Sequence, residues 1–161
     1  MTDVIPTRRQ CANHEAGHVA MAVLCGARVK RAVLKSEPSR AALCSLAGFA
    51  AEQILSGKRR WLFGYRNGSF KLIDDQDILA AFLQFKRSPI AASLLRCHWQ
   101  GAVIALRMCE PGLRSIASEL NRNGRISGAR VHKIMQAEMK RNARGIRHSS
   151  EDYRAVGEAQ P

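Results

Sequence analysis

Two histidines separated by three residues, His14 and His18, are the feature of this sequence that most constrains its fold. They delimit the pentapeptide His-Glu-Ala-Gly-His, which lies in a run whose small and apolar residues recur at helical spacing. Residues four apart on an α-helix differ by about 40° in azimuth and one turn in height, so both imidazoles lie on one face. The sequence therefore predicts a buried helix that is capped by Thr7 and ends at Gly26.

Two imidazoles on consecutive helical turns can bind one ion, and Zn²⁺ accepts neutral imidazole nitrogens readily. Glu15 follows the first histidine and lies one turn before the second, where it can act as a general base on water beside the ion. A chance glutamate between two surface histidines would give the same pattern. The small and apolar residues around the histidines argue against that alternative because they predict burial. We therefore expect His14 and His18 to be metal ligands and Glu15 to be the base.

A catalytic zinc site needs a third protein ligand, and the residues alone leave several candidates. Cys11 shares a helix face with the first histidine, but three ligands from one straight helix rarely surround a tetrahedral ion. Glu52 lies among alanines, which suits either a ligand or the hydrogen-bond partner of a ligand histidine. Asp74, Asp75 and Asp77 open a predicted helix, where one or two of them would also serve as caps. Composition and spacing do not choose among these residues.

The rest of the chain predicts a mainly α fold with a short β-strand or hairpin directly after the first helix. That strand is expected within 27–36, and a basic, aromatic loop is expected at 58–72. Further helices are predicted at 39–56, 74–87, 89–109, 113–121 and 127–142, and the most apolar of them, 89–109, is expected to form the central core element. The predicted domain covers 7–142, between a leader (1–6) and a basic, disordered tail (143–161).

Composition narrows the class of protein. The 161 residues carry a formal net charge of +13, which bears on partners rather than on fold. No apolar run reaches the length of about 20 residues that a membrane helix requires, so we expect a soluble, cytoplasmic protein with no membrane partner. The five cysteines contain no Cys-x-x-Cys pair, which argues against a disulfide framework or a zinc ribbon and favours mostly buried thiols.

Basic residues concentrate in two segments, and two interpretations of them stay open. The first segment mixes cations with aromatic residues, and the second covers the last predicted helix and the tail; their members are Lys58, Arg59, Arg60, Trp61, Tyr65, Arg66, Arg125, Arg130, Lys133, Lys140, Arg141, Arg144 and Arg147. Such clusters can bind nucleic acid or an acidic protein. A solvated, arginine-rich surface is the alternative, since no recognised nucleic-acid motif is present.

Four segments resemble the peptidase domain of the FtsH-type AAA metalloprotease family. The run ANHEAGHVAMAVLCGARVKRAVL (12–34) is similar to the zinc-site helix and following strand of that family, and AGFAAEQILSG (47–57) to its Gly-Gly-Arg-x-Ala-Glu-Glu signature. DQDILAAF (75–82) resembles its Asn-Asp-[Leu/Ile]-x-x-Ala segment, and ISGARVHKIM (126–135) its closing helix start. The resemblance extends from about Thr7 to Gln136 and implies a helical zinc-metallopeptidase domain.

The resemblance also assigns roles. It implies zinc as cofactor, ligands at His14 and His18, and a third ligand at Asp77, with Asp74 as the alternative. Glu52 becomes the carboxylate that supports a ligand. The chain departs from the second signature at Ala47, Phe49 and Gln53, where the family has glycine, arginine and glutamate.

The implied activity is endopeptidase cleavage of polypeptides. The sequence contains no P-loop, so we expect ATP-independent action on unfolded or flexible chains, which would add as a strand beside 29–34. A partner ATPase acting in trans stays open. The alternative function is a non-catalytic metallopeptidase-like binding module that uses its basic surface.

Overall fold

The computed structural model describes residues 7–34, 42–57, 63–66, 69–72 and 76–157, with side chains described within 7–34, 44–57 and 78–144. These residues are mainly helical, which confirms the mainly α part of the predicted fold class. The helices are α1 (Arg8–Leu24), α2 (Ala42–Ser56), α3 (Gln76–Leu83), α4 (Ala91–Met108), α5 (Glu110–Asn123) and α6 (Gly128–Gly157). The strands are β1 (Arg31–Val33), β2 (Phe63–Arg66), β3 (Ser69–Leu72) and β4 (Arg125–Ser127).

The first helix begins where the sequence predicts. The Thr7 hydroxyl accepts a hydrogen bond from the Gln10 backbone N–H at 3.2 Å, and the Gln10 side-chain oxygen accepts one from the Thr7 backbone N–H at 2.7 Å. This reciprocal capping box satisfies donors that the first helical turn leaves without intrahelical partners. The helix ends at Leu24 and turns at Gly26, whose φ is +77°. Both ends of α1 are therefore fixed by local sequence.

Helices α1 and α2 pack together at the centre of the core. The facing residues are small, so the two backbones approach closely; the buried alanines of this contact are Ala12, Ala16, Ala20, Ala47, Ala50 and Ala51. A Cβ on Gly17 would overlap the carbonyl oxygen of Ala47 and lie 2.6 Å from the Ala51 Cβ. The approach therefore requires glycine at position 17. The close packing brings the histidine face of α1 against α2.

The prediction that 89–109 forms the central core element is wrong. Helix α4 packs against α2 but buries only Ala91, Leu95, Ala102 and Leu106, while Ile104 is 63% exposed. Helix α2 instead contacts α1, α3, α4 and α5. A second, smaller cluster of buried residues from α2, α3 and α4 includes Leu46, Ile78 and Leu95.

The strands form two antiparallel pairs. Strand β1 follows α1, as predicted, but its partner is β4 near the other end of the chain, with Ala32 opposite Ile126. Strands β2 and β3 form a hairpin within 63–72. The prediction of an irregular loop for 58–72 is wrong over 63–66 and 69–72, and 58–62 and 67–68 lie outside the described residues.

Two helix limits and the cysteines also differ from prediction. Helix α5 begins at Glu110, with Pro111 in its first turn, rather than at 113, and the backbone of α6 continues to Gly157 instead of ending near 142. Of the five cysteines, Cys44 and Cys109 are buried, whereas Cys25 and Cys97 are exposed, so the expectation of mostly buried thiols is wrong. The leader 1–6 and residues 158–161 lie outside the described part. Within that part, no helix has the length and apolar character to cross a membrane.

Candidate metal centre

The two histidines of α1 lie side by side, as their spacing predicts. The ring centroids of His14 and His18 are 4.6 Å apart, with an interplanar angle of 78°. Both side chains are half-buried where α1 faces α2. Two imidazoles are thus held together on consecutive turns of one capped helix.

Helix α2 supplies a hydrogen-bond partner to the same nitrogen of each ring. The Nδ1 of His14 lies 2.7 Å from Oε1 of Glu52, and the Nδ1 of His18 lies 2.7 Å from the backbone carbonyl oxygen of Cys44. A carbonyl oxygen can only accept, so Nδ1 of His18 donates. An ionised carboxylate also only accepts, which gives His14 the same arrangement.

These hydrogen bonds fit a metal-ligating pair. With the proton on Nδ1, a neutral imidazole has its lone pair on Nε2, the atom that would coordinate a metal. Ligand histidines in proteins almost always donate their other ring N–H to a carboxylate or a backbone carbonyl. His14 and His18 show one arrangement of each kind. The donor chemistry of the pair therefore suits Zn²⁺.

Two further residues of α2 hold the first ring in place. The ring centroids of His14 and Phe49 are 5.2 Å apart, with an interplanar angle of 81°, an edge-to-face contact. A Cβ on Gly48 would lie 2.5 Å from Nε2 of His14 and 2.6 Å from its Cε1. The ring therefore occupies the space that a side chain at position 48 would fill. Glycine at this position is needed for the observed ring orientation.

The acidic residues near the histidines are buried. Glu15 lies on α1 between the two histidines and is 8% exposed, and Glu52 is 9% exposed. A buried carboxylate is costly unless it is hydrogen-bonded or paired, and the described residues leave no buried side-chain oxygen without a partner. Both carboxylates therefore have interaction partners. Cys11, the alternative ligand on α1, is half-buried.

The third ligand stays a prediction. Among the side chains described for 7–34, 44–57 and 78–144, no three His, Cys, Asp or Glu residues come together as a ligand set. Asp74, Asp75 and the side chain of Asp77 lie outside those residues. Asp77 is the second residue of α3. Its neighbour Ile78 is buried in the cluster that contains Phe49. The start of α3 is therefore attached to the part of α2 that contacts His14.

Neither a protein-family model nor a curated protein matches this chain. The resemblance to the FtsH-type peptidase domain accordingly rests on the residues quoted above. Gly48 and Glu52 belong to the second of those segments, and both contact His14 in the structure.

The other described histidines have structural contacts. Nδ1 of His98 lies 2.9 Å from the Leu94 carbonyl oxygen, and the ring is tilted against Phe85 at a centroid distance of 4.9 Å. Nε2 of His132 accepts a hydrogen bond from the Val29 backbone N–H at 3.3 Å. These contacts hold both rings against a neighbouring side chain or backbone. The side chain of His148 lies outside the described residues.

Sequence reasoning missed two contributors to the site. The Cys44 carbonyl is a backbone group, and no side-chain pattern identifies it as the partner of His18. The sequence identifies Phe49 only as a departure from the arginine of the second signature, yet its ring packs against His14. Phe49 is apolar and lies one helical turn after Ser45, and both residues are buried in α2. This spacing could have indicated that Phe49 faces a neighbouring helix.

The Glu52–His14 hydrogen bond gives a graded prediction for metal affinity. Glu52→Ala removes the acceptor, and loss of such a partner typically lowers metal affinity about 10- to 100-fold. Glu52→Gln keeps an oxygen acceptor and is expected to cause a smaller loss. Zinc affinity is measured by competition with a chromophoric chelator, and Glu119→Ala, a carboxylate on α5, is the control. Equal zinc affinities for Glu52→Ala and the control would contradict the assignment.

Proposed function

We propose that this chain is a zinc-dependent endopeptidase that hydrolyses unfolded or flexible polypeptides without ATP. The single observation that carries the proposal is the matched pair of hydrogen bonds at Nδ1 of His14 and His18. Both bonds prepare the opposite ring nitrogen, on adjacent turns of one helix, for a metal. A pair of unrelated surface histidines has no physical reason to share this arrangement.

The proposal assigns His14 and His18 as zinc ligands and an aspartate near the start of α3 as the third. Asp77 is the preferred residue and Asp74 the alternative, on the strength of the resemblance. Glu52 orients the first histidine. When bound, Zn²⁺ supplies Lewis acidity toward a carbonyl oxygen and lowers the pKa of water.

Glu15 carries out the proton transfers. Its carboxylate takes a proton from the attacking water and passes it to the nitrogen of the leaving amine, so that the peptide bond breaks without an unstable charged amide leaving group. The burial of Glu15 favours this role because a proton acceptor shielded from bulk water retains the proton between the two steps. A purely structural metal site would not need a base at this position.

Two features support unfolded or flexible polypeptides as the substrate class: strand β1 and the lack of a P-loop motif. Within the described residues, β1 pairs with β4 along one edge, so an extended polypeptide can add along the other. The sequence contains no P-loop, and unfolded or flexible chains need no ATP-driven unfolding. A partner ATPase in trans would widen the substrate range to folded proteins.

Metal content and cleavage together test the proposed function. The full-length wild type is expected to hold about one zinc per chain by mass spectrometry of dialysed protein and to cleave unfolded casein. His18→Gln removes one ligand and is expected to lose most of the zinc and the cleavage. His98→Gln, which changes a histidine of α4, should retain both.

The alternative of a non-catalytic binding module makes a different prediction for the same samples. Under that alternative the wild type cleaves no unfolded substrate, whether or not it holds zinc, and binds DNA or an acidic protein in a salt-dependent way. Failure to cleave casein in the presence of stoichiometric zinc would overturn the endopeptidase proposal.

A further inference from the structure

A surface pocket of about 640 Å³ lies where the β1–β4 sheet meets α5 and the start of α6. The arginines that line it are Arg31 on β1, Arg125 on β4 and Arg130 in the first turn of α6. Glu119 and Asn123 line it from α5. This pocket is separate from the histidine pair, whose Nδ1 partners come from α2.

The strand register explains why two of the arginines share the pocket. Arg31 lies opposite Ser127, and Val33 lies opposite Arg125, whereas the intervening pair, Ala32 and Ile126, is buried. Because side chains alternate between the two faces of a strand, Arg31 and Arg125 project from the same outward face of the sheet. The buried pair anchors the opposite face to the core and fixes this register.

The pocket has an excess of positive charge. Arg130 donates from Nε to Oε1 of Glu119 at 2.7 Å, so this arginine has a counter-ion. Within the part of the chain whose side chains are described, Arg31 and Arg125 have no ion-pair partner. Two exposed guanidinium groups, with five N–H donors each, therefore line the pocket without a salt bridge to a described carboxylate.

We propose that this pocket binds carboxylate side chains of an extended acidic polypeptide, which makes acidic segments the preferred substrate class. The inference rests on the proposed function because it identifies the bound polypeptide with the substrate. Guanidinium groups bind carboxylates through two parallel hydrogen bonds, and their fork geometry suits that ligand. A strand added along β1 would present every second side chain to the face that carries Arg31.

The lining favours a polypeptide over nucleic acid. No aromatic side chain is among the described residues that line the pocket, so bases have no ring on which to stack. Glu119 also lies in the pocket, where it would oppose a continuous row of phosphates. Isolated carboxylates spaced along an extended chain avoid that repulsion.

The test measures binding separately from cleavage. Full-length Glu15→Gln is loaded with zinc and titrated onto a short fluorescein-labelled peptide of alternating glutamate and valine, with fluorescence anisotropy as the readout. The matched peptide replaces glutamate by glutamine, and a labelled single-stranded oligonucleotide is the third probe. Arg31→Glu and Arg125→Glu are introduced individually, and Arg107→Glu on α4 is the control with the same change in net charge.

The glutamate peptide is expected to bind more tightly than the glutamine peptide, and 0.5 M salt should weaken the difference. Each pocket variant should weaken binding of the glutamate peptide about 5- to 10-fold, and the control less than about twofold. Arg31→Gln and Arg125→Gln remove the charge without reversing it, so each should weaken peptide binding less than the glutamate variant at the same position. A graded loss of this kind separates an effect of charge from a loss of the fold.

Three results would overturn the inference. The first is equal binding of the two peptides, and the second is equal loss for pocket and control variants. The third is that the oligonucleotide binds more tightly than the glutamate peptide and that Arg31→Glu and Arg125→Glu weaken this binding, which would assign the pocket to nucleic acid. If the wild type neither holds zinc nor cleaves casein, the proposed function fails by itself, because anisotropy still reports on the pocket.

Discussion

Glu15→Gln is expected to lower kcat for peptide hydrolysis about 10²- to 10⁴-fold, the usual contribution of a general base. Glutamine has nearly the shape of glutamate but cannot accept a proton from water and pass it to the leaving amine. The side chain is buried on α1, one position after His14, so an isosteric change keeps the packing of that helix. Zinc content should therefore equal that of the wild type, while the chemical step fails.

The control for this variant is another buried glutamate outside the site. Glu138 on α6 is 5% exposed and accepts a hydrogen bond from Arg141 at 3.2 Å. Glu138→Gln removes a buried negative charge of the same kind, and its kcat should stay within about threefold of the wild-type value. Initial rates on a quenched fluorescent peptide give kcat and KM separately, and zinc is quantified on the same samples. Wild-type kcat in zinc-loaded Glu15→Gln would remove Glu15 from the mechanism.

The elements that the sequence predicts well are those set by neighbouring residues. The start of α1 depends on Thr7 and Gln10, three residues apart, and the pairing of His14 with His18 depends only on the helical repeat. Both can be predicted because no distant part of the chain takes part. The sequence suggests Glu52 as either a ligand or the partner of a ligand histidine, and the structure places its carboxylate 2.7 Å from Nδ1 of His14.

The features that escaped prediction depend on contacts between distant residues. Strand β4 has three residues, and its partner β1 lies more than 90 positions earlier, so only the tertiary fold pairs them. Large apolar side chains favour α4 as the central element in the sequence. In the structure, however, small residues organise the core because they let α1 and α2 approach closely. The Cys44 carbonyl belongs to the same category because its role depends on where α2 crosses α1.

Two glycine-to-alanine substitutions distinguish the packing of this helix crossing from the proposed metal site. Gly17→Ala places a methyl group against the Ala47 carbonyl oxygen and 2.6 Å from the Ala51 Cβ. Backbone atoms cannot rotate away, so the helices must separate. The expected cost is about 3 kcal/mol, at the upper end for overpacking, which lowers Tm by roughly 10 °C in a domain of this size. Thermal unfolding followed by circular dichroism measures this loss.

Gly48→Ala should act mainly on zinc binding. Its methyl group would lie 2.5 Å from Nε2 of His14, and this ring can turn aside, unlike a backbone carbonyl. Turning breaks the 2.7 Å contact with Glu52 and moves the nitrogen that the metal needs, so zinc affinity is expected to fall about 100-fold or more. In the absence of zinc, Gly48→Ala should lower Tm less than Gly17→Ala does, because the His14 ring can rotate while the backbones at the helix crossing cannot move apart as easily.

Gly26→Ala is the matched control for both glycines, since a Cβ there meets no atom within 4 Å and the cost comes only from its φ of +77°. That strain is expected to lower stability by about 1 kcal/mol and to leave zinc affinity unchanged. The three glycine-to-alanine variants are therefore expected to differ in how much stability each loses relative to how much zinc affinity it loses. If Gly48→Ala binds zinc as tightly as Gly26→Ala, the ring of His14 does not need its observed orientation, and the assignment of that histidine as a ligand is wrong.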